Sequence, residues 1–371
     1  PVPASVYQAM RDAVRYVLPA LALGATLPML GRAVQRQCKR YRAVPPKSIG
    51  SQSMSLRETL FSSELVAFDC DGVLWKGGKA IEGAAAVVEE LRQKGKSVVF
   101  VTNNSTSTRE QYVAKLARFG LGTHPVSSIY SVAWYTAQYL VNDLGARPGI
   151  DKVFVLGSAA LADEVRLAGL DVIEPDSDMP YTEVVGMPVD PAVRYVVVGM
   201  DRDISYSRLA QTTTYLLANP ETMFIATNSD RTFPTDGIPM PGTGTVIASV
   251  GSAVTQQCHV VGKPKGMILT SAMKAHGLSD PQQCCMVGDR MDTDIAAAHA
   301  AGFKAVLVLS GITKAIEIDP SSGHVAKPPA YPSVFPEVSA AECTPDLVVA
   351  GLSALETESE AVHGTESPCQ C

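Results

Sequence analysis

The run Leu65-Val66-Ala67-Phe68-Asp69-Cys70-Asp71-Gly72-Val73-Leu74-Trp75 decides how this chain is read. Four apolar residues lead into two aspartates one residue apart and then a glycine, the pattern of a buried strand that ends in a polar turn at a sheet edge. Side chains alternate along a strand, so Asp69 and Asp71 leave its end on one face while Cys70 points to the other. Taken alone, Asp-Cys-Asp-Gly is equally the turn at any strand end. Residues further along decide between the two readings.

Working outward, Ala84–Lys94 reads as a helix closed by Gly95, and Ser97–Val101 as a second apolar strand ending at Thr102-Asn103-Asn104-Ser105. Ser107 with Glu110 is expected to form a capping box for a helix that runs to Phe119 and stops at Gly120. This βαβα rhythm implies a parallel sheet with helices on both faces. Lys152–Leu156, Arg194–Val198 and Met223–Ala226 are further strands, with helices at Ala159–Ala168 and Ser207–Leu217, in a run long enough to be a separate α/β domain inserted into the first. Core-like punctuation then returns: Gly262-Lys263-Pro264 before a helix that ends at Gly277, strand Cys284–Val287 running into Gly288-Asp289-Arg290-Met291-Asp292-Thr293-Asp294, a helix to Ala301, and strands Lys304–Leu309 and Leu347–Val349. The expected organisation is an N-terminal extension over 1–55, core over 56–144, cap over 145–255, core again over 256–352, and a flexible acidic tail over 353–371.

Composition narrows the function classes. With 371 residues, 46% of them hydrophobic, the chain can bury a sizeable core. The net charge of −6 is unevenly spread, because residues 1–57 carry nine Lys/Arg against Asp12 alone. The body is therefore acidic, which argues against nucleic-acid binding. Eight cysteines without a CxxC do not make a disulfide scaffold, and a reducing compartment is expected. The apolar run Tyr16 to Leu30 is broken by Pro19, Gly24 and Pro28 and falls short of the roughly 20 residues of a stable membrane span. Its Arg-rich, nearly acid-free flanks predict an organellar transit peptide for chloroplast or mitochondrion, with a disordered arm or an interfacial helix as the alternatives.

Three strand ends now carry polar groups: Asp69/Asp71, Thr102/Asn103, and Asp289 with Asp294. In open parallel sheets ligands bind outside the carboxyl ends of the strands, so these groups can converge, and Lys263 arrives on a loop between two such elements. Phosphoryl transfer through a divalent metal is the chemistry that uses this set. Hard oxygen ligands such as Asp69 and Asp289 suit Mg²⁺. Lys263 offsets phosphate charge, Thr102 and the backbone beyond it donate to phosphate oxygens, and a carboxylate attacks in line.

Asp69-Cys70-Asp71-Gly72-Val73, Thr102-Asn103-Asn104, Lys263 and Gly288-Asp289-Arg290-Met291-Asp292-Thr293-Asp294 stand in the order of the four motifs of the haloacid dehalogenase superfamily, and the chain resembles its phosphatase branch over roughly residues 56–315. The resemblance implies a Rossmann-like parallel-sheet core. It implies Asp69 as nucleophile and Asp71 as general acid and then base, with Mg²⁺ held by the Asp69 carboxylate, the Asp71 main-chain carbonyl and Asp289, and with Asp294 in support. It further implies that Gly72, Thr102, Asn103, Asn104 and Lys263 surround the phosphoryl group. Only 31 positions separate Asp71 from Thr102 while 161 separate Thr102 from Lys263, so the large α/β cap is inserted after the second motif.

Thr227-Asn228-Ser229 echoes Thr102-Asn103-Asn104, but chain order makes the earlier copy the phosphate motif. The later one, with Asp230 through Pro234, resembles the cap loop that faces the substrate, which brings Asn228 and Phe233 into the substrate-binding set. Within the superfamily the motifs are most similar to the phosphoglycolate phosphatase, 4-nitrophenylphosphatase and pyridoxal phosphate phosphatase group. Phe233 stands where the pyridoxal phosphate members are expected to carry a histidine, which tilts the expectation to 2-phosphoglycolate. The alternatives are pyridoxal phosphate, broad-specificity 4-nitrophenyl phosphatase activity, and, from another class, an inactive scaffold that binds a phospho-metabolite. The expected partner is a small phosphate ester, and a homodimer stays open. Trp75 reads as a packing residue beside the site, Cys70 as core, His259 and His299 as structural, and Asp292 as a surface acid on a helix's first turn.

Overall fold

The computed structural model describes residues 54–233, 238, 240–313 and 344–355. The basic extension up to residue 53, the Pro-rich stretch 319–337, the tail beyond residue 355 and the cysteine pair Cys369/Cys371 lie outside the described residues.

The chain enters through α1 (Leu56–Phe61), capped by Ser55, and passes into β1 (Leu65–Phe68). All four residues of β1 are buried. Alternation sends Leu65 and Ala67 into one apolar layer and Val66 and Phe68 into the other, so the strand has core on both faces. A short antiparallel hairpin of β2 (Trp75–Lys76) and β3 (Lys79–Ala80) follows the Asp-Cys-Asp-Gly turn, and the sequence carried no sign of it. Next come α2 (Ala84–Gln93), β4 (Ser97–Thr102), α3 (Arg109–Arg118), β5 (Ile129–Ser131) and α4 (Val132–Asn142). The capping box of α3 is Thr108 with Gln111, one residue later than the expected Ser107 and Glu110. Extended backbone at Thr108 lets its hydroxyl accept from Gln111 N, which decides the register.

The second sheet is built from β6 (Lys152–Leu156), α5 (Ala159–Leu167), β7 (Asp171–Ile173), α6 (Tyr181–Val184), β8 (Val193–Val198), α7 (Tyr206–Ala218) and β9 (Met223–Ala226). A small hairpin, β10 (Thr232–Phe233) and β11 (Met240–Pro241), leads to α8 (Thr243–Gly251) and β12 (Cys258–Val260). All five strands run parallel in the order β12-β9-β8-β6-β7. Because β12 pairs with β9, this sheet reaches Val260, past the expected boundary at 255.

The chain returns to the first sheet through α9 (Met267–Ala275), β13 (Cys284–Gly288), a π-helical turn over Met291–Ile295, α10 (Ala296–Ala301), β14 (Lys304–Val308) and β15 (Leu347–Val349). The π turn stands where a regular helix start was expected. The six parallel strands run β15-β14-β13-β1-β4-β5. β1 is thus flanked by β4 and β13, at whose ends two of the other three motifs stand. Phe68, the last residue of β1, pairs with both Phe100 and Val287, and β4 runs two residues and β13 one residue beyond that level. From β1 the chain winds outward through β4 and β5, and after the second sheet it returns on the other side of β1. That reversal is the crevice where open α/β sheets bind ligands.

Candidate active site

Lys263 sits at the centre of the crevice. Its Nζ lies 2.6 Å from Asp69 Oδ1 and 2.6 Å from Asp294 Oδ1, and 3.3 Å from the Val101 carbonyl at the end of β4. Asp294 accepts from the backbone N–H groups of Asp289 and Arg290, each at 3.0 Å, with its other oxygen. The π turn creates this geometry by folding the Asp294 side chain back over the end of β13. Gly288 is required there, because a Cβ would fall 2.1 Å from Asp294 Cβ. Asp289 Oδ2 accepts from Ile312 N at 2.6 Å. Gly72 holds φ +96°, and a Cβ on it would come 2.4 Å from the same Oδ2, so the Asp-Cys-Asp-Gly turn lies against Asp289.

Burial of this many charges sets their protonation. Burial pushes Asp69 well above the ordinary carboxylate range; Lys263 opposes the shift, while Asp294 and Asp289 add to it. Burial, with Asp294 beside it, pushes Asp289 up to about 7. Burial works against the Lys263 ammonium, but Asp294 and Asp69 outweigh it and hold its pKa above the usual lysine value.

One carboxylate oxygen from each of Asp69, Asp289 and Asp294 lies within 4.8 Å of the others, and all three residues are buried. Three acids face one ammonium, so the cluster carries excess negative charge that a hard divalent cation suits. A cavity of about 90 Å³ lined by Asp71, Gly72, Asp289 and Ile312 adjoins it. The donor set fits Mg²⁺, for which Asp69 and Asp289 would supply carboxylate oxygens, while Asp294 also holds Lys263.

Asp71 stands beside this cluster, its side chain 37% exposed. Trp75 Nε1 donates to its Oδ1 at 2.7 Å. Thr102 is buried and its hydroxyl accepts from Asn104 N at 3.1 Å. The Asn104 side-chain Oδ1 in turn accepts from Thr106 N and Oγ1. Asn103 is placed differently from the expectation of a phosphate ligand. Its Oδ1 accepts from Lys263 N at 2.9 Å and its Nδ2 donates to Lys263 O at 3.0 Å, so its side chain braces the lysine. Nδ2 also faces Asp230 at 3.3 Å. Asn228 donates to Asn103 O at 2.7 Å and accepts from Asp230 N, so its amide too is spent on tying the second sheet to the first. Phe233 is half-buried on β10, with the exposed Arg202 guanidinium 5.7 Å from its ring centre.

Three contributors were not singled out from sequence. Arg290 pairs with Asp292 and donates to Thr232 O, linking the π turn to the cap loop. Asp292 is accordingly an exposed acid held by its neighbour. Asp230, half-buried against Asn103, has its pKa raised by burial. Lys115 on α3 lies 3.8 Å from Asp71 Oδ1. The spacing of Tyr112, Lys115 and Phe119 on one helix face was the available signal.

Family models match residues 66–171 as a haloacid dehalogenase-like hydrolase and residues 260–355 as HAD-hydrolase-like. Among relatives, glycerol-3-phosphate phosphatase from Gallus gallus is 36% identical over 267 residues, covering 71% of this chain and 84% of that protein. Phosphoglycolate phosphatase 2 from Arabidopsis thaliana is 35% identical over 293 residues, covering 77% and 96%. Among solved structures, glycerol phosphate phosphatase from Mycobacterium tuberculosis in complex with magnesium matches at TM-score 0.63 and 26% identity, covering 81% of this chain and 79% of its own. The motif order, the parallel sheet that aligns the motifs and these likenesses agree: the chain belongs to the haloacid dehalogenase-like hydrolases and is a phosphatase of that family.

Proposed function

We propose that the chain is a Mg²⁺-dependent phosphomonoesterase that forms an aspartyl-phosphate on Asp69, with 2-phosphoglycolate as its first candidate substrate. The observation that carries this reading is the buried Asp69–Lys263–Asp294 arrangement beside Asp289, with Asp71 two residues from the nucleophile on the same turn. Asp69 offers a carboxylate oxygen for in-line attack. Lys263 offsets charge on the phosphoryl oxygens, and Thr102 lies at the end of the adjacent strand. Asp71 gives a proton to the leaving oxygen and later takes one from the hydrolytic water. When bound, Mg²⁺ polarises the phosphoryl group and offsets its charge.

Support for a small acidic ester comes from the mouth of the site. The exposed Arg202 guanidinium over Phe233 puts positive charge on the cap loop, which favours a substrate carrying a carboxylate. The Arabidopsis thaliana relative is named for phosphoglycolate and the Gallus gallus relative for glycerol 3-phosphate, so the latter ester is the second reading. Pyridoxal 5′-phosphate ranks below both, since Phe233 offers no hydrogen bond.

The test is Mg²⁺-dependent phosphate release from 2-phosphoglycolate, glycerol 3-phosphate, pyridoxal 5′-phosphate, a nucleotide and 4-nitrophenyl phosphate, with Asp69→Asn as control. A preference of at least about tenfold in kcat/KM for 2-phosphoglycolate is expected, and a preference for another ester reassigns the substrate. The organellar address proposed from residues 1–55 is tested separately by fusing them to a fluorescent reporter; a diffuse cytosolic signal would remove it.

A further inference from the structure

Two side chains that take no part in the chemistry converge on one oxygen of Asp71. Trp75 Nε1 donates to Asp71 Oδ1 at 2.7 Å, and Lys115 Nζ on α3 lies 3.8 Å from the same atom. The ammonium also lies 4.2 Å from the centre of the indole ring, so cation, ring and carboxyl group form a closed triangle. The indole is itself fixed. Trp75 is fully buried and stacked on Tyr112 and Phe119, with ring centres 6.3 and 5.5 Å away. Its backbone carbonyl accepts from Gly72 N at 2.7 Å, which closes the turn that carries Asp71. Among the described residues no donor reaches Asp71 Oδ2.

We propose that Trp75 and Lys115 are positioning residues for the general acid, holding Asp71 Oδ1 so that Oδ2 presents the proton to the leaving oxygen. The inference rests on the reading of Asp71 under Proposed function. In the first step an Asp69 carboxylate oxygen bonds to phosphorus and the ester P–O bond breaks. Its electron pair leaves on the ester oxygen, which takes the proton from Asp71 Oδ2 and leaves Asp71 a carboxylate. An unrestrained carboxyl group turns about Cβ–Cγ and can carry its proton on either oxygen. The indole N–H on Oδ1 and the ammonium beside it disfavour a proton there and fix the plane of the group before substrate arrives. Both interactions strengthen as negative charge develops on Asp71 during the transfer. Packing alone accounts for neither the indole N–H on Oδ1 nor the ammonium on the same atom.

Leaving-group chemistry separates positioning from packing. 4-Nitrophenolate departs without a proton, whereas an alkoxide needs one. Because kcat/KM covers steps through phosphoryl transfer to Asp69, the later hydrolysis does not enter it. The quantity to measure is the ratio of kcat/KM for an alkyl phosphate that the wild-type enzyme turns over, 2-phosphoglycolate or glycerol 3-phosphate, to kcat/KM for 4-nitrophenyl phosphate. Trp75→Phe keeps a ring and loses the donor; Lys115→Met keeps a stem on the indole and loses the charge. The ratio is expected to fall about tenfold in Trp75→Phe, which loses a hydrogen bond to a charged group, and about threefold or more in Lys115→Met, which loses an ion-pair contact. In Asp71→Asn it is expected to fall about a hundredfold or more. An unchanged ratio in Trp75→Phe and Lys115→Met, with both substrates losing kcat/KM together, overturns the inference and leaves Trp75 as packing. If Trp75→Phe does not fold, Lys115→Met decides alone, since its side chain is partly exposed on α3. An unchanged ratio in Asp71→Asn instead overturns the reading of Asp71 as the acid, whatever the other two variants do.

Discussion

Lys263 Nζ lies 2.6 Å from Asp69 Oδ1, with the two side chains only 2% and 11% exposed. Asp69 is therefore held against a buried cation that also pairs with Asp294 at 2.6 Å. Breaking one side of a buried ion pair leaves the other uncompensated, which is worse than never having buried either. Lys263→Met strands three acids together. We expect a loss of about 3–5 kcal/mol in denaturant unfolding with chelator present. Added Mg²⁺ should recover part of that stability but not the activity, which should stay at least about a hundredfold down.

Asp69→Asn has the opposite character. Turnover should vanish, because an amide cannot attack phosphorus. Burial already pushes the Asp69 carboxyl well above its ordinary range, so a neutral amide relieves desolvation that the folded state bears. The melting temperature with chelator present is expected to equal or exceed that of the wild type. A drop of more than a few degrees would contradict the desolvation argument, and substantial residual turnover would contradict the covalent reading.

Asp289 predicts how pH acts on the metal-free protein. Its folded pKa of about 7 lies above the ordinary 3.8, so between those values the folded state binds more protons than the unfolded one and stability falls as pH rises. The penalty is complete above about pH 7 and absent below about 3.8. Thermal unfolding with chelator should therefore show a lower melting temperature at pH 8 than at pH 5.5. Asp289→Asn should shrink that difference, and Mg²⁺ should shrink it in the wild type by binding the ionised form.

Asn103 joins three parts of the site through one amide: Lys263 N, Lys263 O and Asp230. Asn103→Asp removes the donor that faces Asp230 and sets two carboxylates against each other. The second sheet should then be pushed off the first, raising KM and lowering kcat together, with kcat/KM down about a hundredfold. Steady-state kinetics on a small ester measures this, and a change in kcat alone would assign Asn103 a direct phosphate contact instead.

Gly288→Ala tests the close approach of Asp294 to the end of β13. A methyl group would fall 2.1 Å from Asp294 Cβ, so the π turn must shift and carry Asp294 away from Lys263. Activity should fall by at least about a hundredfold while secondary structure by circular dichroism is kept, and Mg²⁺ titration should show weaker binding.

Much of the frame was legible because the signals are local. Leu65–Phe68, Lys152–Leu156, Met223–Ala226 and Leu347–Val349 have the bounds expected of them, since apolar runs between turn residues mark parallel strands. Where two local signals competed, sequence chose less well: both Ser107 and Thr108 can cap, and only the backbone of Thr108 settles which does. The hairpin Trp75–Ala80 left no mark because its two-residue strands are too short to alternate.

Residue types and their order can be read along the chain: Asp69 and Asp71 on one turn, Thr102 at the next strand end, Lys263 after a long insertion, and Asp289 with Asp294 five apart. Which atoms meet depends on packing between distant segments. Asn103 and Asn228 read as substrate ligands yet are engaged with Lys263, Asp230 and the backbone. Trp75 reads as packing yet donates to Asp71, and Lys115 joins it from α3. The reason is physical: alternation, capping and spacing act over a few residues, whereas Asp69 and Lys263, 194 positions apart, meet because Gly262 N bonds to Thr227 O and the Asn103 side chain at the end of β4 holds the Lys263 backbone beside β1. Asp294 joins them through a π turn whose shape no local propensity dictates.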